Sequence, residues 1–108
     1  MKPQDQYVKR VLDQYKTLPG TLGRVLRQDR KTALAFYRRG VALEVVHSAF
    51  ILVLARRAFR AHGDDLEPIR CLQYLVPVVD ELLREPPLPE YLHYLRRKLV
   101  TAGLLQSA

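Results

Sequence analysis

The side chains of this sequence that could do chemistry are three histidines, a serine beside one of them, a single cysteine and a short acidic run. His47, His62 and His93 stand far apart, with no cysteine–histidine or HExxH spacing to gather a metal ion. Ser48 follows His47 directly. Adjacent residues of a helix do not face each other, so this pair is not a nucleophile with its base. Asp64, Asp65 and Glu67 lack the glycine and the regular oxygen spacing of a calcium loop. There is no glycine-rich phosphate loop. Cys71 is alone, which excludes an intramolecular disulfide and gives no sign of an oxidising compartment. The reading is therefore of a protein that is not an enzyme, with no catalytic residue, no metal and no cofactor.

Charge is the informative feature. The 108 residues hold 18 Lys+Arg against 11 Asp+Glu, a net +7 with a sequence pI near 9.9. Residues 1–62 carry 13 basic and 4 acidic side chains, whereas residues 63–108 carry 5 and 7. Nine of the 13 are arginine, the type suited to bidentate phosphate contacts. Arg24, Arg27, Arg30 and Lys31 fall in or beside a loop, and Arg38, Arg39, Arg56, Arg57 and Arg60 fall near helix ends. These nine are the expected nucleic-acid contacts, with DNA or RNA as the partner. The competing reading is a solvated face whose arginines favour helix C-termini. Tyr7, Tyr15 and Tyr37 could stack on bases if exposed, but their helical spacing predicts burial.

The elements that must position these residues are helices within a single domain, residues 1–108. Tyr7, Val8, Val11, Leu12 and Tyr15 make one apolar stripe over 4–16, ended by Leu18-Pro19-Gly20. Residues 21–28 suggest at most one helical turn around Leu22, Val25 and Leu26. Asp29 reads as the N-cap of a helix over 30–39, with Ala33, Phe36 and Tyr37 inside and Gly40 as its left-handed terminator. Ala42–His62 is apolar on most sides and reads as the central buried helix, closed by Gly63-Asp64-Asp65. Pro77 forces a kink in Glu67–Arg84, or two short helices with Pro77 at the start of the second. Pro89 opens a last helix over 89–100 with Tyr91, Leu92, Leu95 and Leu99 inside, and the tail from Thr101 should fray. The fold class is all-α: an irregular orthogonal bundle of five or six helices around 42–62.

The stretch from Thr32 through Ala49 has a helix ending at Gly40, Val41 directly after it, and Val46 six positions beyond the glycine. This stretch resembles the first two helices of the helix-turn-helix in bacterial resolvases, invertases and transposases, which implies DNA binding. It departs from that pattern after the second helix. Phe50-Ile-Leu-Val-Leu-Ala-Arg-Arg continues without a turn, so no recognition helix follows and no base-contacting residue carries over. A tight helical corner with no DNA role remains the alternative. Leu66-Glu-Pro-Ile-Arg-Cys-Leu-Gln-Tyr-Leu-Val-Pro-Val-Val-Asp-Glu-Leu looks like segments of small proteins carried by bacterial mobile elements.

The expected function is thus a small basic nucleic-acid-binding accessory protein from a mobile element, contacting phosphates through its N-terminal half. The alternative is a helical protein-interaction module, part of a larger complex or a homodimer. No membrane partner is expected. The longest apolar run, Ala49–Ala55, is far short of the roughly 20 residues a span needs, and MKPQDQYVKRVLDQY has no apolar signal core. A cytoplasmic location is the corresponding expectation.

Overall fold

Apolar spacing at helical period becomes helix almost everywhere it occurs. The computed structural model describes residues 1–60 and 66–106. It comprises α1 (Pro3–Thr17), α2 (Arg27–Arg38), α3 (Leu43–Ala58), a 3-10 turn (Leu72–Leu75), α4 (Val76–Arg84) and α5 (Pro89–Thr101). Among the described residues the architecture is all-α, with one isolated parallel bridge between Thr21 and Ile69.

α3 is the organising element, because a helix apolar all round needs cover on every side. Val46 and the unbroken run Ala49–Ala55 are buried, as α1, α4 and α5 all pack against the helix. The helix stops at Ala58, short of the expected His62. Phe59 leaves helical geometry, and its ring lies 4.3 Å from the Lys98 ammonium on α5. His62 and the closing Gly63-Asp64-Asp65 lie outside the described residues.

α2 packs on α1 and on the 3-10 turn, with little direct contact to α3. The corner between α2 and α3 therefore redirects the chain and does not pair the two helices. Gly40 (φ 75°) makes it possible: its N–H reaches the Tyr37 carbonyl and Val41 N–H reaches that of Phe36. Val41 and Val46 are both buried, but against the common core.

The proline-containing segment takes the second of the two expected forms only from Leu72 onward: residues 67–71 are not helical, and a 3-10 turn leads into α4. Pro77 is the second residue of α4, where its missing N–H has no helical partner to lose. Residues 21–26 form no helical turn. Leu22 is exposed and Leu26 is the extended N-cap of α2. Two further expectations fail at the C-terminal end. Tyr91 is 49% exposed, since the buried stripe of α5 is centred on Leu95 and Leu99. The tail does not fray at Thr101: Gly103 N–H bonds to Val100 and Leu104 N–H to Leu99, and this seats Leu104 and Leu105 against the core.

Candidate nucleic-acid interface

The basic surface is set by how α2 begins. Asp29 is not the N-cap but the third residue of the helix, which starts three residues earlier than its capping signal suggests. Its carboxylate accepts the Leu26 N–H at 2.8 Å while its own N–H donates to the Leu26 carbonyl, closing the first turn from inside. The second carboxylate oxygen accepts the Leu72 N–H, also at 2.8 Å, so the side chain ties α2 to the 3-10 turn. Thr32 adds a second tie, donating to the Gln73 side chain at 3.2 Å. Asp29 is fully buried, and nearby the Tyr15 hydroxyl is buried with no hydrogen-bond partner among the described residues. Burial first, and then the charge of Asp29, pushes the Tyr15 pKa up to about 12.

With Asp29 turned inward, every charged side chain on the outer side of α2 is basic. At about 100° per residue, Arg27, Lys31 and Arg38 fall within about 40° of one another on the crest opposite Ala33 and Phe36. All three are exposed, as are Arg24 in the preceding loop and Arg30 on the flank toward α1. None of these five pairs with a carboxylate among the described residues. Arg30 joins Lys9 and Lys16 of α1 along a groove of about 780 Å³ floored by Val8, Val25 and Leu34. The two lysines were not among the expected contacts. Both hold Asp13, at 2.8 and 3.8 Å, and the Lys9 hydrogen bond keeps the Asp13 carboxyl below its usual range.

The other four predicted residues sit differently. Arg39, at the end of α2, reaches Asp80 of α4 at 2.7 Å. Arg56 grips Glu81 with both terminal nitrogens, at 3.0 and 2.5 Å. That hydrogen bond, with lesser contributions from the Glu81 charge and the nearby Tyr91, raises the Arg56 pKa. Arg57 donates to the Glu67 carbonyl at 2.9 Å, and its guanidinium lies 5.8 Å from the Tyr74 ring centroid. Arg60 is exposed and lines a cavity of about 330 Å³ with Arg56, Arg57 and Tyr74. The nine residues thus separate into an α2 group and a group at the C-terminal end of α3.

The aromatic side chains are distributed the other way round. Tyr7 and Tyr15 are buried, Tyr7 donating to the Val41 carbonyl at 2.7 Å, and Tyr37 packs edge-on against Tyr7. The exposed rings are Phe59, Tyr74, Tyr91 and Tyr94, all in or beside the α3–α5 end. Lys98 lies 4.3 Å from the Phe59 centroid and 5.5 Å from that of Tyr94. The spacing of Tyr91, Tyr94 and Lys98, three and then four residues apart on α5, is the sequence signal that identifies this row.

On the opposite flank of α5, a cleft of about 750 Å³ opens between α1, α3 and α5, with His47 on its wall. Arg96 can only donate, so its 2.9 Å contact makes Nε2 the acceptor and puts the ring proton on Nδ1. The Gln14 side-chain amide meets Nδ1 with its nitrogen, and turning that amide over puts its carbonyl oxygen there to accept the Nδ1 proton. Partial burial, followed by the Arg96 charge, lowers the His47 pKa. His93 is exposed on the same cleft, and Cys71 is half-buried. Among the described residues no group of His, Cys, Asp and Glu could hold a metal, and no helix is long and apolar enough to cross a membrane. No family model matches this sequence, and neither a curated protein nor a solved structure matches it.

Proposed function

We propose that this protein binds nucleic acid by phosphate contacts along α2, with Arg24 and the Arg30–Lys9–Lys16 groove beside it. One observation carries the reading: the crest of α2 bears Arg27, Lys31 and Arg38, while the helix's one carboxylate is buried and occupied by backbone amides. This arrangement works against the stability of the helix. Positive charge is unfavourable near a helix N-terminus, and Arg27 and Lys31 repel one another four residues apart. A phosphate backbone reverses both penalties, since it neutralises the cations and favours the positive end of the helix dipole. A role as accessory protein of a mobile element belongs to the same proposal and rests on the sequence resemblance alone.

The test is duplex binding at several salt concentrations by the unmodified protein and by Arg27→Gln/Lys31→Gln/Arg38→Gln. Glutamine keeps helix propensity, so the melting temperature should hold. The log–log salt slope should fall by about 3, one counterion step per lost phosphate contact. No binding by the unmodified protein at low salt overturns the proposal, as does an unchanged slope in the variant.

A further inference from the structure

We infer that the α3–α5 end is a second contact surface that takes the unpaired bases of a single strand by stacking, which makes single-stranded nucleic acid the preferred ligand. The inference rests on the nucleic-acid reading above and adds to it the class of strand. Tyr91 and Tyr94 are 49% and 46% exposed, and Phe59 at 39% lies beside them, so ring surface is open to a ligand. Lys98 touches both Phe59 and Tyr94, which places the two rings in one patch, and Tyr91 precedes Tyr94 by three residues on α5. Aromatic faces interleaved with cations are what a strand with free bases and charged phosphates requires.

Three physical points favour a single strand. Side chains three residues apart on a helix have Cβ atoms about 5–6 Å apart. That is wider than the roughly 3.4 Å step between bases stacked in a duplex, so Tyr91 and Tyr94 suit bases that have been drawn apart. A duplex also keeps its base faces covered by its own stacking, and phosphate contacts alone do not need rings. Finally, the Lys98 ammonium sits on a flexible stem. A base can take the ring face as the ammonium moves to the neighbouring phosphate, so one cation–π contact is exchanged for a stacking contact and an ion pair. A protein partner is the less favoured occupant, because lysine is depleted from protein interfaces and here it stands at the centre of the patch.

The experiment compares a fluorescent oligothymidylate of about 12 nucleotides, within the usual single-strand site range, with a duplex of equal length. Binding is read by anisotropy and by quenching of tyrosine emission, which is clean because the chain has no tryptophan. The proteins are the unmodified chain, Tyr91→Leu/Tyr94→Leu, Tyr91→Phe/Tyr94→Phe, and the α2 triple variant described above. The unmodified protein should prefer the single strand. The leucine variant should lose at least about tenfold in single-strand affinity, given that stacking is worth about 1–3 kcal/mol per base, and its duplex affinity should stay within twofold. The phenylalanine variant, which keeps the rings without the hydroxyls, should bind as the unmodified protein does.

Unchanged single-strand binding by the leucine variant overturns the inference. If that variant also converts an oligomer to a monomer in sedimentation, the patch is a self-association surface. Equal losses for both strand types, or loss in the phenylalanine variant, overturn it as well. In all these cases the α2 triple variant still reports on the phosphate reading by its own slope. Failure of the unmodified protein to bind either strand overturns both.

Discussion

The crest of α2 and the C-terminal end of α3 are both rich in arginine, yet they present different surfaces. On α2, Arg27, Lys31 and Arg38 face outward with no carboxylate pairing among the described residues. At the end of α3, Arg56 is held by Glu81, and Arg57 is bound to a backbone carbonyl beside a tyrosine ring. Among the described residues, the carboxylates of the second half reach the α3 arginines through Glu81 and the α2 end only at its C-cap, where Asp80 holds Arg39. The charge a segment contains is therefore not the charge it offers. Cations near a folded-back acidic segment hold elements together, and those beyond its reach remain available to a ligand.

The largest expected effect tests the buried acid on which this contrast depends. Asp29→Ala removes two charge-assisted hydrogen bonds and leaves the Leu72 amide without its partner, so urea unfolding should show a loss of about 3 kcal/mol or more. Asp29→Asn keeps an acceptor and should lose less. A loss below about 1 kcal/mol for the alanine variant would mean that the carboxylate is not committed to the fold, and the contrast would fail.

A smaller effect is expected from the tied arginines. Arg39→Gln and Arg56→Gln should each cost about 0.2–1 kcal/mol in denaturant titrations, the range for exposed ion pairs. Neither should change the salt slope of duplex binding. A slope reduced as much per residue as in the α2 triple variant would show that these arginines also reach phosphate, erasing the distinction between the two groups.

The smallest effect sharpens the comparison from a third place, the bridge from α1 to α5. His47 has a lowered pKa in the folded protein, so the native state resists a proton that the unfolded chain accepts near 6.5. Stability should be full above that pH and decline as the pH falls through it. Melting temperatures between about pH 7.5 and 5 should therefore drop more steeply for the unmodified protein than for His47→Gln. Parallel curves would show that the Gln14–His47–Arg96 bridge is not sensed by folding.

Much of the fold can be read from residue spacing alone. The stripe of α1, the all-round apolarity of α3, the break at Pro77 and the turn at Gly40 all depend on neighbours within a few positions. What could not be read depends on partners distant in sequence. Asp29 looks like a cap because it precedes a helical pattern, whereas the Leu72 amide that draws it inward lies 43 residues on. Tyr91 fits the apolar stripe of α5 by type, but the helix is rotated so that Leu95 and Leu99 meet α3. For the candidate site, the α2 arginines are legible as a cluster of like charge. The pairing of Arg39 and Arg56 is invisible until the chain folds back.

The tie between Asp29 and Leu72 also bears on the order in which the molecule can assemble. Synthesis delivers α1 and α2 well before the 3-10 turn, and until Leu72 emerges one oxygen of the carboxylate has only water to accept from. Docking α2 fully before then would bury an ionised group with half of its partners missing. Full burial of Asp29 beneath α2 is therefore favourable only once the segment following α3 closes the loop. The entropic cost of that closure grows only with the logarithm of its length. Completion of the N-terminal region therefore waits on the 3-10 turn that follows α3.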